Sequence, residues 1–339
     1  MDLRDDIDGL CEVRLNTQEL LLLSARTDDQ EFGVELAKIL GLRFNHTVIS
    51  KEAAQFISKS NPVVTLIDAS TEPLYLDFEN EFQNFVGLFG DQAFPERIHF
   101  LSDEDQVCRY LFRSPIFSHL LVRGGAHFRK SVLEYSRLMD QVMNHAQSIS
   151  AETLLKKETK TQRVKINHSS QKKEVLEAIR QYVLKAGFNS RMISLIINAT
   201  DELIMNAIYD APKDEQGIPI HVHTPRSAVF ELGGLNQIEL VIGFDGQHLA
   251  ITVIDLHGSL DREELLSLMS KEYSGSEYKL RRHGEGAGLG LATVFRTGAS
   301  LFFHCVQKKK TEVTLIFRRV DQFKDFRTQM KFVSTHFQS

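Results

Sequence analysis

Residues 283–291 read His283-Gly284-Glu285-Gly286-Ala287-Gly288-Leu289-Gly290-Leu291, and this stretch decides the fold of the second half of the chain. Glycines at every second position let a backbone wrap closely around phosphate groups. The apolar residues after them open a helix at about 289–297, whose N-terminal amides and dipole suit an anion. A P-loop would place Lys-Ser/Thr after its last glycine, where this chain has Leu291-Ala292. A dinucleotide fingerprint follows a strand, but here the preceding residues are the charged segment Lys279-Leu280-Arg281-Arg282-His283.

Working outward, two hairpins flank this segment. ELVIGF and LAITVID enclose the turn pair Asp245-Gly246, and SLFFHCV and EVTLIF enclose a lysine-rich turn. Upstream, the short strand Arg163–Ile166 precedes Ser169 and Ser170, expected to cap a helix with the apolar stripe Val175, Ile179 and Val183 and with Gly187 at its C-terminus. A second helix, over about 190–209, is apolar on most of its surface. Helices laid against a mostly antiparallel sheet make this half an α+β sandwich.

The second helix carries Asp201-Glu202-Leu203-Ile204-Met205-Asn206-Ala207. Glu202 and Asn206, four residues apart, share one face, while Asp201 lies about 100° to the side. A carboxylate and a carboxamide on an apolar helix need compensation, either from backbone groups inside the fold or by oxygen ligation of Mg²⁺. Asp255 ends the strand ITVID and is followed by Leu256-His257-Gly258-Ser259. It is placed either to accept from an exocyclic amine such as that of adenine or simply to cap a turn.

In the order Glu-x-x-x-Asn-Ala, strand-Asp-x-x-Gly and Gly-x-Gly-Leu-Gly-Leu, residues 163–318 resemble the GHKL ATPase superfamily, and within it the bacterial anti-sigma-factor serine kinases. The acid segment departs from the family's Asp-x-Gly-x-Gly, with His257 and Ser259 where glycines are expected. The resemblance implies that Glu202 is a general base toward a serine hydroxyl and that Asn206 holds Mg²⁺. It implies that Asp255, with Gly258 and Thr311, forms the adenine pocket, and that Gly284, Gly286, Gly288, Leu289 and Gly290 hold the ATP phosphates. Arg281 and Arg282 are then candidates to neutralise the γ-phosphate, or else solvated lid residues. A histidine kinase would need a phosphoacceptor histidine before this domain, and the one candidate, His145, lacks the flanking acid and Arg-Thr-Pro.

Residues 20–145 read differently. Near-continuous apolar strands at Leu20–Ser24, Thr47–Ser50, Val63–Asp68, Ile98–Ser102 and His119–Arg123 alternate with helical patterns, as expected of an α/β domain with a doubly wound, five-stranded parallel sheet. Its architecture resembles a response-regulator receiver, with Asp68 the candidate phosphoacceptor. The acid pair expected after the first strand is Ser24-Ala25, with Asp28 and Asp29 displaced; Ser102 stands in for the switch hydroxyl and Arg123 for the lysine. A protein-interaction or dimerisation role fits such a pseudo-receiver better than phosphorylation. Residues 1–19 are read as an extension, 146–162 as a polar linker and 319–339 as a tail. In that tail Phe323, Phe326, Phe332 and Phe337 either pack on the second domain or dock a partner.

The chain has 339 residues, 42% of them hydrophobic and 25% charged, which suits two globular domains. A net charge of -5, from 45 acids against 40 bases, gives no footprint for nucleic acid and points to a protein partner. Cys11, Cys108 and Cys305 make no metal spacing and read as reduced thiols, and no apolar run reaches the ~18–20 residues of a membrane span, so a cytoplasmic protein is expected. Within these bounds, the resemblance to the anti-sigma-factor kinases implies an ATP- and Mg-binding regulator that phosphorylates a serine or threonine of a partner, or sequesters it; the partner class is a sigma factor or a related regulator. The alternative is a non-catalytic, nucleotide-sensing or interaction module.

Overall fold

The computed structural model describes residues 18–89, 95–103, 105–124, 131–144, 147–221, 223–272 and 289–338. Over these the protein is mixed α/β, with two compact units, 1–144 and 145–339. No helix among the described residues is long and apolar enough to cross a membrane.

In the first unit, strands β1 (Glu19–Leu23), β2 (Arg43–Thr47), β3 (Val64–Asp68), β4 (Ile98–Ser102) and β5 (His119–Val122) form a parallel sheet in the order β2-β1-β3-β4-β5. This is one of the two common doubly wound orders. Every residue of β1, β3, β4 and β5 is buried, so these strands are continuous apolar runs in the sequence. The helices are α1 (Thr27–Leu40), α2 (Ser50–Ser60), α3 (Glu72–Phe89) and α4 (Val132–Asn144). Gly41, at φ 64°, closes α1 in the left-handed conformation.

Two expectations are corrected here. The second strand is 43–47 and not 47–50, because β2 is the sheet's edge and its RFNHT sequence is half exposed rather than apolar. Val48 and Ile49, which gave the false apolar signal, sit exposed in the turn before α2. The segment after β4, expected to be α-helical, is a 3-10 helix over Asp105–Arg113.

The second unit begins earlier than the sequence suggests. Residues 147–162, read as a linker, contain the short helix α5 (Ala151–Leu154) and the start of β6 (Thr161–Ile166), with Ile149, Ser150, Ala151, Leu154 and Leu155 buried. Next come α6 (Lys172–Lys185), α7 (Ser190–Met205), the hairpin β7 (Ile238–Phe244) and β8 (His248–Asp255), α8 (Arg262–Glu272) and α9 (Leu289–Arg296). The second hairpin, β9 (Ser300–Val306) and β10 (Lys310–Arg318), leads to α10 (Phe323–Arg327) and β11 (Lys331–Gln338). The sheet order is β11-β9-β10-β8-β7-β6, antiparallel except for β11 alongside β9.

Ser169 and Ser170 do not cap α6 directly. They lie in a 3-10 turn, where the Ser169 hydroxyl donates to the Ala228 carbonyl (3.1 Å) and accepts from the Phe230 N–H (3.0 Å). The tail packs on its own unit. Phe326 and Phe332 are fully buried, Phe326 stacks on Phe317, and the Arg191 guanidinium lies 3.9 Å over the Phe323 ring.

Candidate functional site

Helix α7 is capped by Asn189, whose side chain accepts from the Met192 N–H (3.0 Å), and it buries Met192, Ile193, Ile196, Ile197, Leu203 and Ile204. Asp201 turns aside to the Lys172 ammonium (2.6 Å), which leaves Glu202 and Asn206 on the other face. At Asn206 the helix widens into a π turn over Asn206–Asp210, with the Ala211 N–H donating to the Asn206 carbonyl (2.9 Å). Single π turns are frequent at functional sites, where widening one turn re-aims the side chains that follow.

Asp255, the last residue of β8, is 7% exposed and lies directly across the ladder from Thr311 of β10. Its Oδ1 accepts from the backbone N–H groups of His257 (2.9 Å) and Gly258 (3.3 Å), so it does cap the turn. Burial nonetheless pushes the carboxyl up to about 6, against those two N–H groups and the Thr311 hydroxyl. Gly258 is fixed at φ 57°, where a Cβ would stand 2.2 Å from the Val306 carbonyl oxygen and 2.7 Å from the Lys309 nitrogen.

A cavity of about 240 Å³ opens between α7, β8, β10, α8 and α9. Asn206, Asp255 and Thr311 line it together, with Leu291 of α9 and the apolar Leu203 and Val253. Gly258 is not among the lining residues and bears on the cavity through its N–H, which donates to Asp255 Oδ1. Glu202 lies one turn before Asn206, where a Cβ on Gly290 would meet its Oε2 at 2.6 Å and the Asn206 Oδ1 at 3.0 Å. A side chain at 290 would therefore displace the ends of the Glu202 and Asn206 side chains from their present positions. Leu289 begins α9. Gly284, Gly286, Gly288, Arg281, Arg282 and His145 lie outside the described residues.

Three charged lining residues were not anticipated: Asp210, Lys213 and Glu264. Asp210 extends the Glu202–Asn206 stripe by four more residues, a spacing visible in the sequence. Lys213 and Glu264 come from separate segments and leave no such signal. Burial raises the Asp210 carboxyl, opposed by Arg226 and Lys213 and aided by Glu264 and Glu202. The two departures from the glycine pattern have local roles. The Ser259 hydroxyl donates to the Ala211 carbonyl (2.6 Å), and its own carbonyl accepts from Lys213 (3.1 Å). His257 Nε2 pairs with Asn236 Oδ1 (3.0 Å). Both residues tie the turn after β8 to the 211–236 segment.

For a cation the donors are the hard oxygens of Glu202 and Asn206, converging on Gly290. No group of three or more His, Cys, Asp or Glu suited to a metal occurs among the described residues. Such a set fits Mg²⁺ arriving with phosphates and waters, and it does not fit a metal held by protein ligands alone.

The first unit holds a second polar cluster. Arg123, following β5, is 6% exposed and reaches Asp29 with Nε (2.8 Å) and Nη2 (2.5 Å), Asp68 with Nη2 (2.9 Å) and Asp103 with Nη1 (3.3 Å). The Ser24 hydroxyl donates to Asp29 (2.6 Å), and Arg26 pairs with Asp103 (2.7 Å). Asp29, displaced along the sequence, thus returns to the end of β3 through the first turn of α1. Burial opposes the guanidinium charge, but Asp29 and then Asp68 outweigh it and raise its pKa above the ordinary value. A permanently charged, forked side chain occupies the space between the carboxylates.

Compared with known proteins, the sequence matches no protein-family model, and no curated protein matches it.

Proposed function

We propose that the second unit binds Mg·ATP and transfers its γ-phosphoryl group to a serine or threonine of a protein partner, as the likeness of residues 163–318 to GHKL-type anti-sigma kinases suggests. The observation that carries this reading is the cavity that gathers Asn206, Asp255 and Thr311 from three separate elements. A buried carboxyl at the end of a central strand, opposite a hydroxyl, suits the amine and ring nitrogen of adenine. In the proposed reaction the partner's hydroxyl oxygen bonds to the γ-phosphorus as the bond to the β–γ bridging oxygen breaks. Glu202 accepts the hydroxyl proton, and ADP leaves. Mg²⁺ supplies charge neutralisation on the phosphates, and Asn206 is its candidate protein ligand. The first unit, with Arg123 filling its carboxylate cluster, serves as an interaction or dimerisation module, and Asp68 is not phosphorylated. Cytoplasmic location and a sigma factor or related regulator as partner belong to the same proposal.

Titration of the full chain with ADP in the presence of Mg²⁺ tests the reading; absence of binding at millimolar concentration overturns it. If ATP binds, Glu202→Ala is expected to lower phosphoryl transfer by about 10²–10⁴-fold while leaving nucleotide affinity within about threefold. The second reading, a nucleotide sensor without transfer, is favoured by the tight seat of Glu202 against Gly290 and by the non-glycine His257 and Ser259. Binding with no detectable transfer to any protein of the host would select it.

The Asp255 carboxyl gives this reading a pH signature. Adenine's amine donates more strongly to the ionised carboxylate than to the neutral acid, so ADP affinity should be flat above pH 7 and fall below pH 6, by at most about tenfold per unit. Stability of the ligand-free protein moves the opposite way. The folded carboxyl titrates near 6 and the unfolded one near 3.8, so the folded state binds the extra proton between them and stability is lost as pH rises through that window. Asp255→Asn, which keeps an Oδ1 acceptor for the turn, is expected to gain up to ~3 kcal/mol at pH 7.5 by denaturant titration. The same variant should lose at least about tenfold in ADP affinity. A stability loss would show that the turn requires the charge.

A further inference from the structure

Strands β8 and β10 present different residues on their two faces, as the period of two requires. Val253, Asp255, Thr311 and Val313 line the cavity. Thr252, Glu312 and Thr314 alternate with them and point the other way, onto residues 147–151. There Ser148 Oγ and the Ile149 N–H donate to the Glu312 carboxylate (3.0 and 3.1 Å). The Ala151 N–H donates to Thr252 Oγ1 (2.7 Å), and Thr314 Oγ1 donates to the Ile149 carbonyl (2.9 Å). The two threonine hydroxyls lie 2.8 Å apart. Each hydroxyl has one proton, so the direction is forced: Ala151 N–H to Thr252, Thr252 O–H to Thr314, Thr314 O–H to Ile149. Glu312, 3% exposed, also accepts from His304 Nδ1 (2.8 Å) and Lys310 Nζ (3.0 Å). Burial works to raise this carboxyl, but His304 and then Lys310 outweigh it and hold it at about 2.

Every polar group of this contact is paired, and a close-packed interior does not deform gradually. Thr311 and Glu312 are adjacent residues of one strand, as are Thr252 and Val253, so the cavity wall and the grip on 147–151 share a backbone. We propose that Thr252, Glu312 and Thr314 are positioning residues for the cavity. Through them the segment 147–155 sets the spacing of Asp255 and Thr311, and occupancy of the cavity is felt in that segment. The inference rests on the cavity being an adenine-nucleotide site. Coupling of this kind is reciprocal: whatever ligand binding does to the segment, loosening the segment does to ligand affinity.

The test uses the full chain with Mg²⁺ and ADP as the probe. ADP should slow amide exchange at Ile149 and Ala151 by at least about fivefold, the lower end of ordinary coupling. Thr314→Val, which breaks the hydroxyl relay, should weaken ADP binding by at least about fivefold, and Thr314→Ser should restore it. Glu312→Gln gives an independent variant should Thr314→Val not fold, with the same loss expected. If ADP binds the native chain but exchange at 149–151 is unchanged and Thr314→Val or Glu312→Gln binds normally, the coupling is refuted while the nucleotide site stands. If ADP does not bind the native chain at all, both fail.

Discussion

Replacing Arg123 with methionine should destabilise the first unit by about 3–5 kcal/mol, a large share of the roughly 5–15 kcal/mol that holds an ordinary domain folded. The guanidinium is the only cation within 3 Å of both Asp29 and Asp68 among the described residues, and all three groups are buried. Removing it leaves carboxylates desolvated at the end of the buried strand β3, and that desolvation is the largest part of the cost. Arg123→Lys keeps the charge but not the fork. It can satisfy Asp29 or Asp68, not the two-pronged contact to Asp29 and the contact to Asp68 together, so an intermediate loss is expected. The diagnostic variant is the triple change Arg123→Met, Asp29→Asn, Asp68→Asn. If uncompensated charge is the cause, neutralising both acids recovers most of the lost stability, as it does when buried ion pairs are replaced whole. Urea denaturation followed by amide exchange in β1, β3 and β5 measures each case. A single variant as stable as the native chain would show that water reaches the cluster and replaces the guanidinium.

How the sequence encodes these features differs from one to the next. Strands β1, β3, β4 and β5 are legible because a parallel strand buried on both faces has no polar alternation, whereas β2 is hidden by its edge position. The Glu202–Asn206 pair is legible because helix geometry alone places them on one face. Thr311 facing Asp255 follows once the strands are paired, but the pairing spans 56 residues (311 less 255) and no local pattern states it. Segment 147–155 looks like a linker because its burial is completed by Thr252, Glu312 and Thr314, which lie 101 to 165 residues away from the groups they hold. The role of Arg123 was equally non-local. Its position matched an expected lysine, but only the folded sheet brings Asp29, 94 residues earlier, into contact with it.

Gly258→Ala is the other large effect expected, and its cause is geometric. The residue sits at φ 57°, which for an L side chain costs roughly 1–2 kcal/mol. A new Cβ would also overlap backbone, with the Val306 carbonyl at 2.2 Å and the Lys309 and Lys310 nitrogens at 2.7 and 2.8 Å. No side-chain rotation relieves such contacts, so the β9–β10 turn has to move, and the hydrogen bond from Lys308 N to the Gly258 carbonyl (3.1 Å) moves with it. A total loss of at least ~3 kcal/mol is expected, within the range of the more severe single substitutions. Gly246→Ala is the matched control. It also has positive φ, 91°, but nothing within 4 Å of the added Cβ, so it should lose only the conformational part, ~1 kcal/mol. Denaturant midpoints of the two variants separate packing from conformation. Because Gly258 N–H holds Asp255 Oδ1, the alanine variant should also lose ADP affinity when assayed at low temperature where it remains folded. Equal losses from the two alanines would mean that the turn yields freely and that close packing at Gly258 does not set the shape of the cavity.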